Sequence, residues 1–362
     1  MGGPPCQGFS TIGKRLIDDT RNRLVFDFFR LVSALRPRYF VMENVPGMAA
    51  GGHSAILGRF IQEFEAVGYA MASKVLSTAD FGVPQLRRRL IVIGSREDQP
   101  EARHPQPSSN PVPKTPSARV PRMREGLSVG PNVWQAIGDL PDLDRYATLR
   151  GSDRTFLSDA AMERIECKAS QYALGLRGAD PADRAHPRRW DPALLTSSAR
   201  TIHTAASIQR FTNTTPGDTE PISRFYRLHP EGLCNTLRAG TGSERGAFTS
   251  PRPIHPKRPR VISVREAARL HSMPDWFQLH ATKWHGFRQI GNAVAPLLGR
   301  AIGESLTEAL GVQPRKPRLK QPLGDIRLLN LTMSEAAARY GVEPDQIPAP
   351  RTRTRRLERI AA

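Results

Sequence analysis

The chain has 362 residues, 39% of them hydrophobic, enough to bury a core and too many for a disordered polymer. No apolar run approaches a membrane span and no charged-then-apolar leader opens the chain, so a cytoplasmic protein is expected. Lys and Arg number 53 against 34 acidic residues, a net charge of +19, which favours a polyanionic partner because neutralising phosphates releases counterions. The 3 cysteines, Cys6, Cys167 and Cys234, are too few for a disulfide framework and fit no zinc spacing, so no metal is expected. A cysteine that matters here matters singly, as a nucleophile.

The first hundred residues alternate between helical and strand patterns. The opening run Gly2-Gly3-Pro4-Pro5-Cys6-Gln7-Gly8-Phe9-Ser10 places a thiol in a Gly/Pro-rich loop whose backbone is restricted. Apolar residues at Leu24, Val25, Phe28, Leu31, Val32 and Leu35 follow a helical repeat, which Arg36-Pro37 stops. Tyr39–Met42 reads as a strand buried on both faces, and Met42-Glu43-Asn44-Val45-Pro46-Gly47 lies at its carboxyl end, where open α/β sheets bind ligands. A second helix is expected through Ile56, Leu57, Phe60, Ile61, Phe64 and Val67, ended by Gly68. Gln85-Leu86-Arg87-Arg88-Arg89 precedes a further strand, Leu90–Ile93, and alternation turns Arg87 and Arg89 the same way. This order predicts a doubly wound parallel sheet.

Beyond Ser95 the texture changes. Residues 99–131 are rich in Pro, Ser and Arg, as in a linker or long surface loop. Residues 132–262 are short mixed segments that suggest a smaller, irregular domain. Helical patterns return at Val264–Leu270 and Val294–Leu310, and the last fifty residues form a basic tail with a short helical piece at Met333–Val342.

With these elements in this order, the sequence resembles the bacterial DNA (cytosine-5)-methyltransferase family. The resemblance continues through Val133-Trp134-Gln135-Ala136-Ile137-Gly138-Asp139-Leu140-Pro141, then Arg265-Glu266-Ala267-Ala268-Arg269-Leu270-His271 with Pro274, and ends at Gln289-Ile290-Gly291-Asn292-Ala293-Val294-Ala295-Pro296. It implies methyl transfer from S-adenosylmethionine to carbon 5 of cytosine in duplex DNA, through a covalent adduct of Cys6 with a flipped-out base. By resemblance, Cys6, Glu43, Arg87 and Arg89 are catalytic, Asn44 holds the backbone, and Pro5, Leu24, Asn292 and Ala293 touch the donor. Gln7, Ser10, Arg224, Arg227, Thr236, Arg238 and Thr241 are candidate DNA contacts, and Arg265 and Arg269 are internal scaffold. Cys167 and Cys234 match no family motif.

The implied organisation is a catalytic part at 1–96, a linker and target-recognition domain at 97–262, a return to the catalytic part at 263–312 and the basic tail at 313–362. The family pattern normally begins with a strand ending in a Phe-x-Gly-x-Gly-like loop for the donor, and this sequence opens in the nucleophile loop. The expected fold is therefore a partial Rossmann-like methyltransferase sheet lacking its first strands, with the apolar strand around Phe40 short of a neighbour. Three explanations stay open: donor residues encoded upstream, a second polypeptide supplying those strands, or a remnant without activity that binds DNA. A tRNA-modifying relative is the remaining rival, which the large central region and the Arg265–Leu270 block disfavour.

Overall fold

The structure is a computed structural model that describes residues 1–4, 23–51, 54–119, 121–240 and 252–343. The first part of the chain builds helix α1 (Arg23–Leu35), strand β1 (Tyr39–Asn44), helix α2 (Ser54–Glu65), strand β2 (Tyr69–Ser77) and strand β3 (Arg88–Arg96). The strands form one sheet in the order β1-β3-β2. Tyr39 lies opposite Ser95 and Asn44 opposite Leu90 on one side of β3, and Tyr69 pairs with Arg96 and Ser77 with Arg88 on the other.

Both pairings are antiparallel, which corrects the expected doubly wound parallel sheet. The apolar run in β1 reports burial on both faces, and burial is blind to strand direction. Phe40, Met42, Leu90 and Val92 pack under α1 and α2 through Val25, Phe60 and Phe64. Val41, Ile91 and Ile93 face the opposite way. Direction is set instead by the connection through residues 78–87, a single 3-10 turn at Thr78–Phe81 followed by Gly82. That is shorter than a parallel crossover needs. The chain therefore turns back and β3 slots between β1 and β2. Among the described residues, the parallel contact along the free edge of β1 is backbone pairing of Gly2 with Met42.

The rest of the chain supplies helices α3 (Val133–Ile137), α4 (Asp159–Lys168), α5 (Gln171–Leu174), α6 (Ala205–Asn213), α7 (Val264–Leu270), α8 (Lys283–Asn292), α9 (Pro296–Ala309) and α10 (Met333–Tyr340). Two-residue strands β4 (Thr155–Phe156) and β6 (Leu194–Leu195) pair antiparallel, and β5 (Arg188–Arg189) and β7 (Gln321–Pro322) pair parallel. A second core joins Val133, Ala136 and Ile137 of α3 to Leu228 and Leu237, to Val264 and Ala268 of α7, and to Phe287 and Ile290 of α8. Burial thus groups α7 and α8 with the central region. The chain rejoins the sheet at Ala295, Leu298 and Ile302, which cover the Ile91–Ile93 face.

Arg269 locks this second core. Its side chain is fully buried and bonds both oxygens of Asp139, at 3.0 and 3.1 Å, and both of Asp275, at 2.6 and 2.7 Å. Arg265, one turn earlier, donates to Thr196 Oγ1 at 2.8 Å and to the carbonyl of Phe277 at 2.9 Å. Both act as the internal scaffold expected of them. The described part of the tail is docked: Gln321 accepts from Arg188 at 2.8 Å, and the Leu329 carbonyl takes the amide of Ala281 at 3.0 Å.

Candidate active site

Glu43 sits at the carboxyl end of β1, directly across the ladder from Ile91. Its Oε1 lies 2.7 Å from Nε of Arg89, and both side chains are largely enclosed. Burial raises the carboxyl above the ordinary range, while Arg89 and, at longer range, Arg87 pull it back down. A carboxyl so balanced accepts and gives up a proton nearer neutrality than a solvated one does.

The start of the chain is fastened to the same place. The Gly2 amide donates to the Val41 carbonyl and the Gly2 carbonyl accepts from the Glu43 amide, each at 2.9 Å. A side chain at Gly2 would collide with the ring of Phe28, 2.5 Å from a Cβ built there, so the close approach requires glycine. Asn44 is buried. Its Oδ1 accepts from the Val45 amide at 2.8 Å and its Nδ2 donates to the Pro4 carbonyl at 3.4 Å. Residues 2–4 therefore run alongside β1 and leave from beside the Glu43 carboxylate.

Arg87 and Arg89 do lie on one side of their strand, yet only Arg89 touches Glu43. The Arg87 side chain is buried, with Nη1 donating to the Leu237 carbonyl at 2.9 Å and Nη2 to the carbonyls of Gly291 at 2.7 Å and Ala293 at 3.0 Å. Burial first, then Arg89, pushes its pKa down to about 9, which leaves it cationic at neutral pH. The residues around it extend the joint. Gln85, also buried, donates through Nε2 to the Leu270 carbonyl at 3.2 Å and faces Nδ1 of His271 at 3.1 Å, and its Oε1 accepts from the Leu237 amide at 3.2 Å. His271 Nε2 reaches the Ala293 carbonyl at 3.1 Å. A neutral His271 with its proton on Nε2 satisfies both contacts. Sequence reasoning passed over Gln85 and His271 as functional candidates. The signal for Gln85 was the even spacing of 85, 87 and 89, which puts all three on one side of an extended chain, whereas nothing local marked His271.

Of the remaining candidates, Arg224 and Arg238 are exposed. Arg227 Nη1 is engaged by the carbonyls of Phe211, Thr212 and Thr214, and Thr236 Oγ1 donates to the Leu86 carbonyl. Leu24 is 40% exposed on α1, and Asn292 is exposed at the end of α8. Pro5, Cys6, Gln7, Ser10 and Thr241 lie outside the described residues. Cys167 is exposed, and Cys234 is buried with its thiol pushed up by that burial. Among the described residues no group of His, Cys, Asp and Glu could hold a metal ion, and no helix is long and apolar enough to cross a membrane.

A Glu–Arg pair at a sheet end, with a Gly/Pro-rich segment laid beside it, is shared by several chemistries. Comparison with known proteins decides between them. Residues 1–308 match the family model of the C-5 cytosine-specific DNA methylases. The chain belongs to that family. It is 48% identical to the Type II methyltransferase M.XorII of Xanthomonas oryzae pv. oryzae, over 97% of this chain and 80% of the relative. It is also 31% identical to M.AgeI of Thalassovita gelatinovora, over 86% and 82%. Among solved structures, an E. coli prophage protein assigned as a DNA modification methyltransferase superposes with a TM-score of 0.62 at 30% identity, covering 86% of this chain and 78% of that one. The enzyme class is DNA (cytosine-5)-methyltransferase.

The methyl donor of this family is S-adenosylmethionine. The described residues of this methylase do not enclose such a molecule between them. Leu24 stands beside Val25 on the helix that covers one face of the sheet, whereas Ala293 leads into the segment that covers the other.

Proposed function

We propose that this methylase modifies carbon 5 of cytosine in duplex DNA through a covalent adduct with Cys6, within a restriction-modification system or as a solitary DNA methylase. The Type II relatives support the biological setting. The observation that carries the chemistry is the pinning of residues 2–4 against Glu43 and Asn44. Pro4 precedes Cys6 by two residues, and two residues of chain span at most about 7 Å. Residues 2–4, which lead to Cys6, therefore end beside Glu43, and on this reading the thiol and the carboxyl act on the same base.

The chain's own groups then divide the work. The Cys6 thiolate forms a bond to carbon 6 of the ring, and ring nitrogen 3 takes the Glu43 proton, so that carbon 5 becomes nucleophilic. Arg89, paired with Glu43, offers its positive charge to the base oxygen and lowers the cost of ionising the thiol. Bound S-adenosylmethionine would supply an electrophilic methyl group, with Asn292, Ala293 and Pro5 as the candidate contacts, and Leu24, on the opposite face of the sheet from Ala293, is not among them. Once carbon 5 is methylated, its proton passes to solvent water, the electron pair left behind restores the ring double bond as the bond to Cys6 breaks to release the thiolate, and ring nitrogen 3 returns its proton to Glu43. Arg87 acts one step back, by holding the 237 and 291–293 backbones in place around Arg89. A stacked cytosine is out of reach of these groups, so the base is flipped out, at a cost of a few kcal/mol that backbone contacts repay. Arg238, Gln7, Ser10 and Thr241 are candidates for those contacts, while Arg227 and Thr236 hold the segments that carry them.

The test is adduct formation on duplex DNA containing 5-fluorocytosine in the presence of S-adenosylmethionine. A fluorine at carbon 5 cannot leave as a proton, so the expected outcome is a denaturation-resistant complex, abolished by Cys6→Ser. Retention of DNA without an adduct, unchanged by Cys6→Ser, would replace this reading with a non-catalytic DNA-binding protein.

A further inference from the structure

Residues 217–227 form a tight hairpin in the central region. The Gly217 amide bonds the Arg227 carbonyl and the Arg227 amide bonds the Asp218 carbonyl, both at 2.8 Å. Thr219 pairs with Tyr226, and the Glu220 amide donates to the Phe225 carbonyl at 2.8 Å. Its base is clamped from below, since the Arg227 guanidinium caps the carbonyls of Phe211, Thr212 and Thr214 at the end of α6.

The tip is built with unusual firmness for an exposed loop. Glu220 has a side chain with no exposed surface, and it points inward to hold the turn above it. Its carboxylate accepts from the Ile222 amide at 3.1 Å and from both the amide and the hydroxyl of Ser223, with Arg210 Nε 3.1 Å away as counter-charge. The Arg224 amide closes the turn on the Glu220 carbonyl at 2.9 Å.

Two side chains project from this platform. Ile222 is 71% exposed, and Arg224 is exposed with a backbone φ of 58°. That left-handed conformation disfavours a residue with a Cβ, and glycine or asparagine would hold the turn at lower cost. Among the described residues Arg224 meets no carboxylate and no carbonyl acceptor through its side chain. A guanidinium kept on a strained, rigid tip without a partner among the described residues points to a ligand outside them.

We infer that the 220–225 hairpin is a base-reading finger, with Arg224 recognising guanine and Ile222 meeting a thymine methyl in the major groove of the target. This rests on duplex DNA being the substrate. The pairing of chemistries is what selects base edges over phosphate. A guanidinium matches O6 and N7 of guanine through two parallel hydrogen bonds, and an apolar side chain matches the methyl that marks thymine. A phosphate contact needs charge alone and neither a fixed backbone nor an exposed isoleucine. Glu220 is a positioning residue, since its carboxylate fixes the direction in which both side chains leave.

The experiment is selection of bound sequences from a random duplex DNA library by the full chain, which does not depend on methyl transfer. The wild type is expected to enrich a motif. Arg224→Gly should lose about tenfold or more of the preference for a G·C pair at one position while melting no lower than the wild type, because glycine suits the turn. Ile222→Ala should loosen a T·A position and leave the G·C preference intact. The same motif enriched equally by wild type and Arg224→Gly overturns the finger. A uniform loss of affinity across all sequences also overturns it, by making Arg224 a phosphate contact. A wild type that binds duplex DNA and enriches no motif has the same effect. A wild type that fails to retain duplex DNA at all would instead overturn the substrate reading, and the finger with it.

Discussion

Arg87 and Gly291 meet through a 2.7 Å hydrogen bond between Nη2 and the backbone carbonyl, and nothing softer lies between them. A Cβ at Gly291 would sit 2.2 Å from the amide nitrogen of Ala239. Three backbones (the segment leading into β3, the 237–239 segment and the end of α8) therefore converge on one guanidinium. Arg87→Lys keeps the charge but cannot fork to three carbonyls, and stranding buried acceptors costs about 1–3 kcal/mol each. The expected loss is about 2–4 kcal/mol in urea unfolding. Gly291→Ala, which forces the same joint apart sterically, should cost a comparable amount. A lysine variant with unchanged midpoint and activity would show that the joint carries no load.

Removing the Glu43 proton should uncouple chemistry from binding. Glu43→Gln keeps the shape and the contact to Arg89 but cannot protonate the ring, and positioned acid–base groups contribute about 10²–10⁴-fold. Methyl incorporation should fall within that range while duplex DNA retention stays within about twofold. The pKa argument gives a sign as well. Arg89 is the larger of the two charges that pull the Glu43 carboxyl down. Arg89→Met should therefore move that carboxyl further up, an outcome that carbon-detected NMR titration of Glu43 can read. A downward shift would mean that burial does not set the baseline.

How much of this was legible beforehand follows from what local patterns encode. Tyr39–Met42 announced a strand buried on both faces, and Phe40, Val41 and Met42 are buried, because apolar runs report burial. Direction left no mark in those residues, so the antiparallel insertion of β3 went unseen. Strand β2 was missed because Tyr69–Ser77 carries Lys74 between weakly alternating small residues and half-buries most of its length. At the site, Glu43 and Arg89 could be read from their places beside buried strands. The different fates of Arg87 and Arg89 could not, since alternation sets the side of a strand and says nothing of depth. Arg227 and Thr236 likewise gave no hint of their backbone partners. The Gln85–His271 contact spans 186 residues, and no periodicity within either segment reports it.

Arg269 supplies the sharpest stability prediction. It is the shared cation of two buried carboxylates, Asp139 and Asp275. Deleting one member of a buried ion cluster leaves its partners charged and unsolvated, at about 3–5 kcal/mol. Arg269→Met should lower stability by about that amount, and Asp139→Asn combined with it should recover part of the loss, since the stranded charge disappears. Strict additivity of the two substitutions would contradict a shared network.

The two buried histidines, His255 and His271, contribute to how the protein responds to mild acid. Burial holds His271 down to about 3 and His255 down to about 4, with Arg87 adding to the shift in the first case and Glu266 opposing it in the second. In the unfolded chain each titrates near about 6.5. Between those values the unfolded state binds more protons than the folded one, so stability rises with pH across the window and falls as the solution is acidified through it. With both groups contributing, the slope approaches about 2.7 kcal/mol per pH unit around pH 5. The buried Glu266 carboxylate acts in a lower window. Glu266, held down to about 2 by Arg260 against the cost of its burial, gives up its contribution only below about pH 4.5, where the unfolded glutamate protonates. Urea unfolding at intervals from pH 7 to 5 should therefore show a steep decline whose slope His271→Gln reduces by up to about 1.4 kcal/mol per pH unit, with glutamine keeping a donor for Ala293. A flat profile above pH 5 would mean that these imidazoles are protonated in the native state, contrary to the acceptor role that Nδ1 of His271 plays toward Gln85.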